Sequence, residues 1–263
     1  MDYTGKIVWI TGASSGIGEA LAYTFSNKGA KLILSARNEE RLREVQKRCI
    51  NPEKHLVLPL DLLDADSLPE KCYKVLNRFG HLDILVNNSG VSQRCLVAQT
   101  GIETDRRIME TNFFGTIALT KAVLPSMLEK RSGHIVVISS VAGKLGTPLR
   151  SSYSASKHAL HGFFDSLRAE TWKQGIRVTI VCPGFIRTNI SINALTGDGT
   201  PQGTMDDAQA CGMLPQQCAQ KILRSIEKNK AEVYIGGKEI LGIYLKRFVP
   251  GILNMIIKKA KVT

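Results

Sequence analysis

Seven short apolar runs punctuate this chain, and their spacing restricts its fold more than any other feature. They are "KIVWITG", "AKLILSA", "HLVLPLD", "LDILVNN", "GHIVVISS", "IRVTIVCPG" and "AEVYIGG". Each is β-branched or leucine-rich and compact, as a parallel strand buried on both faces requires. Helical patterns over 16–28, 38–50, 64–79, 103–130 and 152–174 separate the first six. Strands alternating with helices predict βαβ units with right-handed crossovers. The expected fold is therefore α/β: a doubly wound sheet of about seven parallel strands with helices on both faces. The 263 residues contain no linker, low-complexity run or internal repeat, so a single domain over 1–263 is expected. Such sheets bind ligands beyond the carboxyl ends of their strands, where the strand order reverses.

The motifs fall at those strand ends. The first run leads into "TGASSGIG", residues 11–18. Gly12 permits a tight turn, Gly16 lets the backbone approach a pyrophosphate, and Gly18 lets the next helix pack close. That helix would point its free N–H groups and positive dipole end at phosphates. The second run ends "ILSARNEE". Folds that prefer NAD place an acid at this strand end for the ribose 2′-hydroxyl, whereas here Ala36 is followed by Arg37. A guanidinium suits a 2′-phosphate, with Ser35 and Asn38 adding hydrogen bonds, so NADP(H) is expected over NAD(H). After the third run, Asp61 beside Leu62 either accepts from an adenine amino group or caps the next helix. After the fourth, "VNNSG" supplies Asn88, Ser89 and Gly90, which hold neighbouring backbone and let a ribose lie against the chain.

A second group of residues can do proton chemistry. In "YSASKHALHGFF", Tyr153 and Lys157 stand four apart on one helix, hence side by side on one face. A cation so placed favours the phenolate and is expected to lower the tyrosine pKa, making the phenol a proton donor and acceptor. Ser140, at the end of the fifth strand, can hydrogen-bond a substrate carbonyl that Tyr153 protonates. After the sixth strand, Pro183 and Gly184 turn the chain and Thr188 is placed to meet a carboxamide. Asn112 is a poor residue for a helix interior; it either distorts the helix and holds a water or lies on the surface.

Taken in order, T-G-x-x-x-G-x-G, N-N-S-G, Asn112, Ser140, Y-x-x-x-K and P-G resemble the short-chain dehydrogenase/reductase superfamily over about residues 5–235. "SQR", "YSASKHALHGFF" and "CPGFIRTNI" are also similar to the branch around dehydrogenase/reductase member 7, whose animal members are membrane-associated carbonyl reductases. The resemblance implies a single-domain Rossmann-type fold and an oxidoreductase acting on CH–OH and C=O groups. It implies Tyr153 as acid/base, Lys157 as binder of the nicotinamide ribose, Ser140 as orienter of the carbonyl, and Asn112 as holder of a water. Gly12, Ser14, Ser15, Gly16, Ile17 and Gly18 then line the pyrophosphate turn, and Asp61 and Asn88 flank adenine and ribose. Pro183, Gly184, Ile186 and Thr188 complete the cofactor contacts. Ser89 stands where alanine is usual. A homodimer or homotetramer is also implied.

Two segments are left for specificity and partners. Residues 189–214 are rich in Gly, Thr, Asp and Asn and read as a mobile lid over the site. Arg94 is expected near the site mouth, either meeting an anionic substrate group or lying solvated on the surface. The net charge of +12 can mean nucleic acid, a membrane surface or anionic cofactors and substrates. It is mostly spread over helical segments, and its one concentrated region is 240–263, with five basic residues and no acid. That stretch reads as core cover, subunit interface or peripheral membrane contact. Aromatics are 6% and are not interleaved with clustered basic residues, so no nucleic acid is expected. A non-catalytic dinucleotide sensor would be expected to lose Tyr153 or Lys157, and this chain keeps both. A β-ketoacyl thioester is the alternative substrate to a hydrophobic ketone or aldehyde. The six cysteines form no C-x-x-C pair, so no metal is expected, and reduced thiols in the cytoplasm are the simplest account. The start lacks a basic and an apolar region of the signal-peptide kind.

Overall fold

The computed structural model describes residues 2–259. Seven parallel strands form one sheet in the order β3-β2-β1-β4-β5-β6-β7. They are β1 (Ile7–Thr11), β2 (Lys31–Ser35), β3 (Leu56–Val57), β4 (Ile84–Asn87), β5 (Gly133–Ile138), β6 (Ile176–Pro183) and β7 (Glu232–Ile235). Every residue of β1, β4 and β5 is buried, which explains why their sequences do not alternate. Alternate side chains serve opposite faces. Val8, Ile10, Leu32 and Leu34 join α1 (Gly16–Ser26) and α8 (Pro215–Glu227) in one apolar cluster. Trp9, Ile33, Leu85 and Val137 join α3 (Leu68–Phe79), α5 (Gly115–Lys130) and α6 (Ser151–Thr171) in the other. The expected single α/β domain is thus observed, with α2 (Glu39–Arg48) beside the edge strands.

Helix boundaries differ from expectation where the backbone finds local alternatives. The third helix begins at Leu68, after a 3₁₀ turn at Ala65–Ser67. The long helix expected over 103–130 is α4 (Ile102–Met109) and α5, joined by a π turn at Glu110–Phe114. The strand order reverses between β1 and β4, and the chain leaves both strands at the same edge. The 189–214 segment crosses that edge with a short α7 (Asp207–Ala210). It is tied down by the backbone pair Gln93–Leu195 and by Leu195 N–H donating to the Ser92 carbonyl at 2.9 Å. Beyond β7 follow α9 (Leu241–Phe248) and α10 (Pro250–Lys259). Ile243 and Leu253 pack there on Val141 and Leu145. Residues 260–263 of the basic C-terminal stretch lie outside the described residues. Among the described residues, no helix is long and apolar enough to cross a membrane.

Candidate active site

The turn after β1 is built by close packing between backbone and one asparagine. Gly12 has φ +64°, and a Cβ there would meet Asn88 Nδ2 at 2.8 Å. Asn88 Nδ2 donates to the Thr11 carbonyl at 2.9 Å, and the Asn88 and Ser89 N–H groups donate to Thr11 Oγ1. Thr11, which the spacing argument passed over, therefore stitches β1 to β4 at the switch point. Ser15 is the N-cap of α1 in an extended conformation and makes no side-chain cap bond, which leaves the first-turn N–H groups of Gly16, Ile17 and Gly18 open to an anion. Gly16 has φ +58° and a Cβ there would meet Thr188 Cγ2 at 2.9 Å, so Thr188 closes the groove opposite α1. Arg37 and Asn38 lie exposed at the end of β2, with Ala36 half-buried before them. Asn38 Oδ1 accepts from Arg41 N–H and caps α2. Ser35 is not free to join them: it is fully buried and its hydroxyl accepts from Trp9 Nε1 at 2.9 Å.

Asp61 is half-buried and its carboxylate accepts from Leu63 N–H at 3.1 Å. It closes a local turn; it does not cap α3, which starts seven residues later. Leu62 is buried under Gly115, where a Cβ would overlap the Leu62 carbonyl. Gly90 faces Lys157, with a Cβ position 3.4 Å from Nζ. Pro183 ends β6, and Gly184 N–H donates to the Ile235 carbonyl at 2.8 Å. Ile186 is buried in the core, so only its backbone is presented; its carbonyl accepts from Gln209 Nε2.

The proton-handling groups converge at the ends of β5 and β4. The Ser140 hydroxyl is turned toward the Tyr153 phenol and favours its ionised form. Ser140 Oγ also accepts from Ala142 N–H at 3.1 Å, which fixes the hydroxyl at the strand end. Lys157 is buried; its ammonium donates to the Ile138 carbonyl at 2.9 Å and sits 5.8 Å from the Tyr153 ring centroid. Burial lowers the Lys157 pKa to about 8, which leaves it mostly charged at neutral pH. Asn112 is wholly buried in the π turn, not on the surface. Its Oδ1 accepts from Val91 N–H, and its Nδ2 donates to the Val91 carbonyl and Ser156 Oγ. Both amide N–H groups are engaged by protein, so the side chain pins β4's exit loop to α6 and could meet a water only as an acceptor.

One expectation is reversed. Burial raises the Tyr153 pKa above the ordinary phenol value, and this outweighs what opposes it. The opposing groups are the Ser140 hydroxyl and then the guanidiniums of Arg150 and Arg94, not the Lys157 ammonium. Side-by-side placement on a helix face proved insufficient, because Lys157 turns its charge to the β5 carbonyl. Arg94 is itself only 8% exposed and ion-paired to Asp206, so it is not a solvated surface residue. Behind Lys157, His161 Nε2 lies 3.0 Å from Ser139 Oγ, and its Nδ1 is 3.5 Å from Glu232. Cys182 completes this trio, but Lys144 Nζ, 2.7 Å from Glu232, already neutralises the carboxylate.

An anion-binding turn at a strand-order switch, facing a tyrosine, serine and buried lysine, defines a dinucleotide-dependent α/β oxidoreductase. The sequence model of the short chain dehydrogenase family matches residues 6–198. This chain belongs to the short-chain dehydrogenase/reductase family. A dehydrogenase/reductase SDR family protein 7-like from Anopheles gambiae is 47% identical over 264 residues, covering 97% of this chain and 83% of its own. Dehydrogenase/reductase SDR family member 7B from Bos taurus is 43% identical over 254 residues, covering 94% and 78%. A solved short-chain dehydrogenase from Streptomyces avermitilis, 31% identical, superposes with a TM-score of 0.82 over 98% of this chain and 96% of that one. Another from Burkholderia phymatum, in complex with NAD, shares the fold at TM-score 0.84 and 22% identity over 96% of each chain.

Proposed function

We propose that this chain is an NADP(H)-dependent oxidoreductase that interconverts a hydrophobic ketone or aldehyde and its alcohol. The observation that carries this reading is the convergence of Ser140, Tyr153 and Lys157 at one strand edge, opposite the glycine turn. The residues present fit a dinucleotide: the α1 N-terminus carries no side-chain cap, and a Cβ on Gly12 or Gly16 would fill the cradle. No acid stands at the end of β2, where Ala36 is followed by the exposed Arg37, whose guanidinium suits a 2′-phosphate. When bound, the nicotinamide supplies or takes up a hydride.

The chain's own residues do the rest. Gly12, Gly16, Ile17 and Gly18 offer backbone N–H groups to the pyrophosphate, while Ser14, Ser15, Thr188 and Gly184 shape the groove around it. Asp61, Leu62, Asn88, Ser89 and Gly90 line the adenosine side, and the Lys157 ammonium serves ribose hydroxyls. Ser140 holds the substrate oxygen within reach of Tyr153, which gives or accepts the proton. A phenol whose pKa is raised by burial keeps its proton at neutral pH, which favours protonating a carbonyl over deprotonating an alcohol. The same reading places the enzyme at a membrane surface as a peripheral protein, supported by the exposed apolar face of α9 and α10 among basic residues.

The test is oxidation of NADPH and of NADH over steroid ketones, retinal, diketones, small aldehydes and β-ketoacyl thioesters. Turnover with NADPH is expected, falling at least a thousandfold in Tyr153→Phe while NADPH still binds. Arg37→Asp should shift preference toward NADH at least tenfold. NADPH binding without turnover of any carbonyl would favour a sensor, and a wild-type preference for NADH would overturn the role given to Arg37.

A further inference from the structure

Three charged groups outside the proton-transfer chemistry are buried together beside the catalytic helix. Arg94 leaves the loop after β4, Arg150 immediately precedes α6, and Asp206 lies in the 189–214 segment just before α7. Arg94 donates Nε to Asp206 Oδ2 at 2.8 Å and Nη2 to the same oxygen. Its Nη1 donates to Ser92 Oγ at 2.8 Å and to the Gln93 carbonyl at 2.6 Å. Arg150 Nη2 lies 3.5 Å from Asp206 Oδ2, and its guanidinium sits 5.8 Å from the Phe185 ring centroid. Gln202 Nε2 donates to the other carboxylate oxygen at 3.0 Å. Burial opposes the Asp206 charge, but the bonds from Arg94 and Gln202 and the two nearby cations hold its carboxyl below the usual range.

The residue before Arg94 links this cluster to the catalytic turn. Arg150 occupies the N-cap of α6 without a side-chain cap bond. Gln93 supplies the missing acceptor: its Oε1 accepts from Ser152 N–H at 2.8 Å and from Tyr153 N–H at 3.3 Å. Gln93 also pairs its backbone with Leu195 of the 189–214 segment. Residues 93–94 therefore grip that segment with one hand and the first turn of the catalytic helix with the other.

We propose that Asp206 is a positioning residue that locks the 189–214 segment to the first turn of α6 through Arg94 and Arg150, so that seating the segment and placing Tyr153 are one event. A buried ionic cluster suits this role because it is stable only when complete; removing one partner leaves uncompensated charge. If the segment lifts, Asp206 leaves with it, and two guanidiniums remain facing each other. They must separate, which draws Arg150 away from Tyr153 and loosens the Gln93 cap. The kinetic part of this inference rests on the oxidoreductase reading; the coupling itself does not.

Hydrogen–deuterium exchange on the full chain, comparing wild type with Asp206→Asn, tests it. Exchange is expected to rise about tenfold both in 189–214 and in 151–157, with the β1–α1 turn unchanged. A rise in 189–214 alone, or in neither, would overturn the inference. Should Asp206→Asn fail to fold, Arg94→Lys makes the same comparison, since it keeps the charge and loses the forked contact. In kinetics, Asp206→Asn should raise KM for the carbonyl about tenfold more than KM for NADPH, and move the alkaline limb of kcat/KM to higher pH. An unmoved limb would mean a merely structural residue, and a downward shift would mean that both guanidiniums stay in place; either result sinks the lock. If no carbonyl is turned over yet the two segments still loosen together, the catalytic reading fails and the coupling stands.

Discussion

Gly18 is the tightest point of the nucleotide turn. A Cβ there would overlap the Gly12 carbonyl and come within 2.6 Å of Asn88 Nδ2, and neither can move without breaking the β1–β4 stitch. Gly18→Ala should therefore cost about 1–3 kcal/mol by overpacking and weaken NADPH binding at least tenfold. Thermal unfolding and a fluorescence titration with NADPH would check both; a variant as stable and as tight as wild type would show that the turn has slack. This demand was legible in the sequence, as were Tyr153, Lys157 and Ser140, because local spacing and strand ends carry it. Asp206 was not, since its partner Arg94 is 112 residues away and nothing local distinguishes it from other loop acids. Gln93 was hidden for the same reason, 59 residues from the N–H it caps. The direction of the Tyr153 shift was also illegible: spacing shows that two side chains share a face, but not where each points its charge.

At the scale of elements, the all-apolar runs made every strand visible, while helix ends depended on turns that sequence pattern does not resolve. The π turn at Glu110–Phe114 is one such case, buried around Asn112 where a continuous helix was expected. A more consequential one is His134, in the middle of the sheet on β5. Its Nε2 lies 2.8 Å from Thr179 Oγ1, whose own proton goes to the Lys230 carbonyl, so Nε2 carries hydrogen and Nδ1 does not. Among the described residues Nδ1 has no hydrogen-bond partner. Burial, helped by Arg177, lowers the His134 pKa to about 4. The unfolded chain takes up this proton near pH 6.5 and the folded one near 4, so stability falls as pH drops through that window. The full loss is about 3 kcal/mol. His55, also buried with a lowered pKa, adds to the same slope. His134→Gln should flatten the dependence of melting temperature on pH between 6.5 and 4.5. Parallel curves for the two proteins would assign the acid sensitivity elsewhere.

For the whole molecule, the open question is where a net charge of +12 is spent. Seven large apolar side chains between Leu241 and Ile256 are exposed, with Phe248 at 75% and Met255 at 63%. The same helices carry Lys246, Arg247 and Lys258, and no acid follows Glu239. Covering this face with a second copy by a twofold axis would set like charges against each other, because an isologous contact brings the same patch from both sides. An anionic lipid surface complements both the apolar and the basic parts. Ile243 and Leu253 anchor these helices on Val141 and Leu145, next to Ser140, so the docked face would hold the substrate side of the site near lipid. The chain should therefore sediment with vesicles containing anionic phospholipid and much less with neutral ones. Half-molar salt should weaken binding by screening the basic part, and Phe248→Ser with Met255→Ser should abolish it while leaving turnover of a soluble carbonyl intact. If the double substitution instead splits an oligomer in analytical ultracentrifugation and leaves vesicle binding unchanged, the face joins copies of this chain. The charges would then have to be met by acids drawn from a different surface of the partner copy, making a heterologous contact that closes a ring or extends without limit.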